Sequence, residues 1–257
     1  MKTRRIALAI ALLVALPATA EARASLALSL SATTVTWGSS VTVSGAATPP
    51  VADQPVTVTV GGVPVGFTAT AGDGTFSVRF EAHRSGPVLA QVMGAGATTT
   101  PTILTVAPRI VVHVSGRHAW YGTRVRVTVR PSTWKGILTA HVTRRGLPVG
   151  GVVAAAVRGG HATFRVSSPA IGRFGLTITA PPLGELGPRT VSASFTTQAR
   201  TLAAGASGPD VRELLRRLEA LGFHTPGITD TLSRDAADSI MAFQKAYRLP
   251  RTYVFDA

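Results

Sequence analysis

The run Leu202-Ala-Ala-Gly-Ala-Ser-Gly-Pro-Asp-Val-Arg-Glu-Leu-Leu-Arg-Arg-Leu-Glu-Ala-Leu-Gly-Phe223 breaks with everything before it. Its apolar residues Val211, Leu214, Leu215, Leu218 and Leu221 recur at helical intervals, the spacing of one buried stripe. Arg212, Glu213, Arg216, Arg217 and Glu219 fall between them on the wet face, with Glu213 four residues ahead of Arg217, the favourable order for a helical ion pair. Ser207 or Gly208 can cap the start, with Pro209 at the first helical position. Gly222 stops the helix, because glycine takes the left-handed C-cap conformation without a Cβ clash.

A second helix is signalled from Ser233, with Asp235 in its first turn and Ala236, Ile240, Phe243 and Tyr247 on one face. Two short helices and a loop bury little by themselves, so a third element is needed to close a core.

Gly205, Gly208, Val211, Leu214, Leu218, Leu221-Gly222-Phe223, Asp230, Ile240, Ala242-Phe243-Gln244, Leu249-Pro250 and Val254 together resemble the three-helix peptidoglycan-binding domain of bacterial wall enzymes. The resemblance covers about a fifth of the chain. Departures from the pattern are Ala236 in place of the usual Thr, Arg248 in place of Gly, and Thr252-Tyr253 in place of Asp-Gly. The chain ends at Asp256-Ala257, where the resembled family begins its third helix, so that helix is expected to be incomplete.

The resemblance implies a peptidoglycan ligand: uncharged sugar faces and short peptides bearing carboxylates, held weakly by a shallow surface of one or two aromatics and hydrogen-bonding side chains. Gly222, Phe223, Asp230, Gln244 and Tyr247 are the candidate binding residues. Each has a structural alternative: Gly222 as a C-cap, Phe223 and Tyr247 as core, Gln244 bonded to nearby backbone.

Further out, the 257 residues suffice for two or three domains, and 45% hydrophobic content is ample for globular cores. There is no cysteine, which excludes disulfides, a lipoprotein anchor, a thiolate metal site and a cysteine nucleophile. The net charge of +14 is unevenly placed: +3 in residues 1–24, −1 in 25–107, +12 in 108–200 and zero in 201–257. A basic excess in one segment attracts anionic polymers or membrane surfaces. Since 23 of the 26 basic residues are arginine, genomic GC bias is the competing explanation.

Residues 1–24 read as a Sec-type secretory signal. Lys2, Arg4 and Arg5 precede the apolar run Ile6–Leu16, and Ala20, Ala22 and Ala24 each offer a cleavage site. The apolar run is too short to span a bilayer, so no stable membrane span is expected after cleavage.

From Ser25 to Ala107 the pattern is β. Val41/Val43, Val56/Val58/Val60 and Phe76/Val78/Phe80 alternate with polar or small residues, and Gly61-Gly62, Gly72-Asp73-Gly74 and Ser85-Gly86-Pro87 mark turns. Residues 108–199 repeat this block. Trp37-Gly38…Val41…Val43 aligns with Tyr121-Gly122…Val125…Val127 at an offset of 84, as does Gly62-Val-Pro64-Val65 with Gly146-Leu-Pro148-Val149. Thr75-Phe76-Ser-Val78 aligns with Thr163-Phe164-Arg-Val166 at 88, and Gly86 with Gly172 at 86. The expected architecture is multidomain: two all-β immunoglobulin-like sandwiches, similar to the stalk domains of exported bacterial proteins, then a small all-α domain over residues 200–257.

In Thr123-Arg-Val-Arg-Val-Thr-Val-Arg130 the valines take one face and Arg124, Arg126, Thr128 and Arg130 the other, and Arg144-Arg145 in the next hairpin turn extends the basic surface. Two readings fit: a contact surface for an anionic wall polymer or lipid headgroups, or charged protection of an edge strand against aggregation. Nucleic acid is set aside, because the arginines have no interleaved aromatics for base stacking.

No catalytic set stands out, and no cofactor or metal is implied. His83, His113, His118, His141, His161 and His224 are scattered and lack the spacing of a metal site. Asp53, Asp73, Glu81 and Glu185 are the only acids between residues 25 and 200, Asp73 within a Gly-Asp-Gly turn; Asp210, Glu213 and Asp235 sit at helix starts, where they offset the macrodipole. The order of signal, β-repeats and helical unit resembles the front of actinobacterial-type L,D-transpeptidase proteins. The expected function is an exported, non-catalytic wall-binding protein that forms the targeting front of a longer wall-remodelling enzyme such as an L,D-transpeptidase; the alternative is a structural or adhesive surface stalk whose sandwiches do the binding.

Overall fold

The structure, a computed structural model, describes residues 25–93, 97–116 and 118–256. The secretory signal expected at residues 1–24 lies outside the described residues. The first β unit comprises β1 (Ser25–Leu30), β2 (Thr34–Thr36), β3 (Ser39–Thr48), β4 (Pro55–Val60), β5 (Val63–Ala69), β6 (Thr75–Ala82), β7 (Gly86–Val92), β8 (Ala97–Thr98) and β9 (Thr102–Ala107). The second comprises β10 (Arg109–Ser115), β11 (Thr123–Arg130), β12 (Ile137–Arg144), β13 (Leu147–Pro148), β14 (Val153–Ala156), β15 (His161–Val166), β16 (Gly172–Ala180) and β17 (Arg189–Thr197). Two helices follow, α1 (Pro209–Ala220) and α2 (Arg234–Ala246). No helix among the described residues is long and apolar enough to cross a membrane.

In the first unit β1-β3-β6 form one sheet and β2-β9-β7-β4-β5 the other; in the second, β10-β11-β15 face β13-β12-β16-β17. Spatial neighbours are mostly non-consecutive in sequence, so the chain crosses repeatedly between sheets, the connectivity of an immunoglobulin-like sandwich. The period-two pattern puts Val41, Val43, Val56, Val58, Val88 and Leu104 in the first core, and Val125, Val127, Leu138, Phe164, Phe174 and Ile178 in the second, all essentially inaccessible. Each such side chain contributes about 1.5–3 kcal/mol relative to exposure, which is how sandwiches without disulfides hold together.

Strand register sharpens the repeat and corrects one landmark. Val41 pairs with Phe80 and Val125 with Phe164, so the true offset in this pair of strands is 84. The alignment of Phe76 with Phe164 at 88 slips by four residues, an error that an alternating pattern permits because it repeats every two. The Gly62/Gly146 landmark holds: Gly61-Gly62 and Arg145-Gly146 both have positive φ at the two central positions of a hairpin turn, as the type I′ geometry requires.

The two sandwiches touch. Only Pro108 separates β9 from β10, the Ser85 amide donates to Glu185 O (2.9 Å) and the Gly187 amide to Val106 O (2.9 Å). Arg84 pairs with Glu185 at 3.2 Å.

Two expectations about the basic surface need correction. β11, which carries Arg124, Arg126 and Arg130, is the middle strand of its sheet, so edge protection does not explain them. Arg144 and Arg145 do not extend the ladder either, because β12 and its turn belong to the opposite sheet. There Arg144 Nη2 donates to Ile171 O (2.8 Å) and the guanidinium lies over Phe174.

Candidate functional site

The helical unit is built as its pattern dictates. Gly208 is the N-cap of α1 with Pro209 behind it, and no side chain caps the helix; of the two alternatives, Ser207 is not used. Arg217 Nε donates to Glu213 Oε1 at 2.8 Å, the expected (i, i+4) pair, and Arg216 joins the same carboxylate. At the far end Gly222 takes φ +85, while the Phe223 amide donates to Leu218 O (2.9 Å) and the Gly222 amide to Glu219 O (2.9 Å). These are the two bonds of a Schellman motif.

Ser233 caps α2, its hydroxyl accepting from the Ala236 amide at 3.1 Å. The helix closes with the same motif: Leu249 N donates to Gln244 O and Arg248 N to Lys245 O. Here the left-handed position is Arg248, at φ +58. Leu202, Val211, Leu215, Leu218, Leu232, Ala236 and Ile240 form a core separate from the sandwiches. The third element closing it, among the described residues, is an extended segment: Leu202 and Phe255 exchange both backbone hydrogen bonds at 2.8 Å.

The five candidate binding residues do not gather in one place. Phe223 just past α1 meets Phe243 edge-on at 5.5 Å, and Phe243 meets Tyr247 at 4.7 Å. Tyr247 is 56% exposed. This aromatic cluster, with Gly222 beside it, is the one open surface that joins several of the candidates. Asp230 lies elsewhere: its carbonyl accepts from the Gly208 amide at the start of α1 and its carboxylate pairs with Arg212, about 15 Å along the helix axis from Gly222 at 1.5 Å per residue.

Gln244 points inward. Its Nε2 donates to Thr252 Oγ1 (3.0 Å) and Val254 O (2.9 Å), and its Oε1 accepts from the amides of Thr252 and Tyr253. With all its bonds made internally and 6% exposure, Gln244 clamps the segment that closes the core. Phe243, one position earlier, is the aromatic the candidate set lacked. Its four-residue spacing to Tyr247 already places the two on one helical face.

A second arrangement has no sequence signature. Asp210 is 4% exposed. Arg200 grips it with Nε on Oδ2 and Nη2 on Oδ1, both at 3.0 Å, and Tyr121 Oη donates to Oδ1 at 2.8 Å. Burial pushes the Asp210 carboxyl up, but the bonds from Arg200, Tyr121 and the Val211 amide outweigh it and hold the group below its ordinary value. Burial and the Asp210 bond push the Tyr121 hydroxyl up. The macrodipole role foreseen for Asp210 is therefore joined by a larger one, as the acceptor that fastens α1 to the second sandwich. Beside this joint, Trp120, Ile171, Arg217, Leu221, Phe243 and Phe255 line a solvent-open apolar cleft of ≈ 160 Å³.

Residues 207–257 match a family model described as "Putative peptidoglycan binding domain", so a peptidoglycan-binding domain occupies this end of the chain. Comparison with curated proteins gives no match. Among solved structures, the chain is similar to the adhesin InvE of Yersinia pseudotuberculosis, at 16% identity over 71% of this chain and 66% of that one, with a TM-score of 0.34. It is also similar to a two-domain fibronectin type-III segment of chicken tenascin, at 14% identity over 66% and 98%, with a TM-score of 0.40. A tetra-tandem repeat from the extending region of a large adhesion protein matches at 17% identity over 74% and 54%, with a TM-score of 0.33.

Proposed function

We propose that this is an exported cell-wall protein that binds peptidoglycan through its helical unit, is itself non-catalytic, and serves as the targeting front of a wall-remodelling enzyme of the L,D-transpeptidase kind. The family match over residues 207–257 carries the reading. The Phe223–Phe243–Tyr247 cluster supports it by offering apolar ring surface at the position where a sugar face can lie. Gly222 gives the ligand access to backbone there, and Gln244 acts by positioning the closing segment. Export rests on the signal pattern of residues 1–24, and the enzyme class on the order of modules.

Cosedimentation with purified sacculi tests this. The full chain is expected to pellet and a chain lacking residues 201–257 to stay in solution, its sandwiches intact because their core is separate. The second reading, a stalk whose sandwiches bind, draws on the arginines of β11, which pair with no carboxylate among the described residues, and pelleting of the shortened chain would favour it.

A further inference from the structure

We infer that the outer face of the β10-β11-β15 sheet is a docking strip for a linear phosphodiester polymer without stacking bases, a site independent of the helical unit. The exposed positions of this face include Arg109 and His113 on β10, Arg124, Arg126 and Arg130 on β11, and Arg165 on β15. No carboxylate among the described residues pairs with any of these arginines. Glu185, the one acid between residues 108 and 200, is used against Arg84 at the joint with the first sandwich.

The register sets like charges against each other. Arg109 stands opposite Arg130, and Arg124 opposite Arg165. Directly opposed like charges destabilise a sheet, so this face is less stable alone than with a bound anion between its rows.

The fold does not demand the arginines, because the chain contains its own control. At the register-defined offset of 84, Arg124, Arg126, Arg130 and Arg165 correspond to Ser40, Thr42, Ala46 and Glu81 of the first sandwich. A compositional bias toward arginine would mark both sandwiches alike, yet residues 25–107 contain only Arg79 and Arg84.

Arg124 and Arg126 are about 7 Å apart along the strand, and the rows run along a sheet only three strands wide, which suits an extended chain with one charge per repeating unit. Arginine's planar fork matches phosphate oxygens in pairs. The face carries no Phe, Tyr or Trp to stack bases. Its one large exposed apolar side chain, Val111, is too little to anchor the sheet in a lipid interface.

Titration of the full chain with poly(glycerol phosphate), read by calorimetry at several salt concentrations, tests the strip. The triple variant Arg124→Ser, Arg126→Thr, Arg130→Ala, which copies the first sandwich, should bind at least tenfold more weakly and with a shallower dependence on salt. Arg165→Glu, copying Glu81, is an independent second variant expected to lose several-fold, while Arg144→Ala with Arg145→Ala on the opposite sheet should change affinity less than twofold. Unchanged affinity in the triple variant and in Arg165→Glu, or an equal loss in the Arg144/Arg145 variant, overturns the site. So does tighter binding to single-stranded DNA or to anionic phospholipid vesicles than to the polymer.

Discussion

The Tyr121 hydroxyl donates to Asp210 Oδ1 across 2.8 Å, tying the second sandwich to the buried first turn of α1. Arg200 completes the knot by bonding both carboxylate oxygens. Tyr121→Phe removes one hydrogen bond to a charged acceptor and should cost about 1.5 kcal/mol. Asp210→Asn removes the acceptor's charge and turns one of its two oxygens into a donor facing Arg200 or Tyr121, and should cost about 2 kcal/mol. Urea unfolding of the helical unit, followed by Trp120 fluorescence at the joint, measures both.

Gly208 approaches so closely that a Cβ there would overlap the Tyr121 hydroxyl, and its φ of +144 lies outside the range other residues favour. Gly208→Ala should therefore displace Tyr121 and press on Asp210 Oδ1, loosening the joint while both ion-pair residues stay in the chain. Small-angle scattering is expected to show a wider spread of inter-unit distances than in the parent chain.

The same joint has a pH window. The Asp210 carboxyl is depressed from 3.8, so its contribution is complete above that value and is lost as the pH falls through the lower folded value. The Tyr121 hydroxyl is raised from 10.0, so its contribution is complete below pH 10.0 and is lost as the pH rises through the higher folded value. Stability of the helical unit should be flat between these limits, and Asp210→Asn should remove its share of the acid limb. Unfolding titrations from pH 2 to 11 check the shape.

Arg248 holds a left-handed conformation that costs a residue with a Cβ roughly 1 kcal/mol. Arg248→Gly should raise the stability of the helical unit by about 0.5–1 kcal/mol, and Gly222→Ala should lower it by about 1 kcal/mol at the equivalent position of α1. Opposite shifts in melting temperature are the expected readout.

Gln244 and Tyr247 should separate folding from binding. Gln244→Leu leaves the amides of Thr252 and Tyr253 without their acceptor and should destabilise by about 2–3 kcal/mol, exposing residues 249–256 to protease. Tyr247→Ala removes a 56% exposed ring that packs on Phe243; it should cost about 1 kcal/mol yet weaken sacculus binding about tenfold.

Periodicity made both sandwiches and both helices legible, because valines every second residue and leucines every third or fourth have only one sensible placement. Exact register was not legible: Phe164 could slide from Phe80 to Phe76 until backbone pairing removed the ambiguity. The inward turn of Gln244 and the burial of Asp210 were also hidden, since both depend on partners 8 to 89 residues away. Whether a basic strand is central or at an edge is likewise a property of the sheet, and no local pattern around Arg124 encodes it.

The most direct test of peptidoglycan recognition by the helical unit is amide chemical-shift mapping of the isotopically labelled chain titrated with soluble muropeptides. Shifts should concentrate at Gly222, Phe223, Phe243 and Tyr247, with Asp230 and the strands of both sandwiches little changed. Saturable shifts confined to sandwich residues, with the aromatic cluster silent, would contradict it.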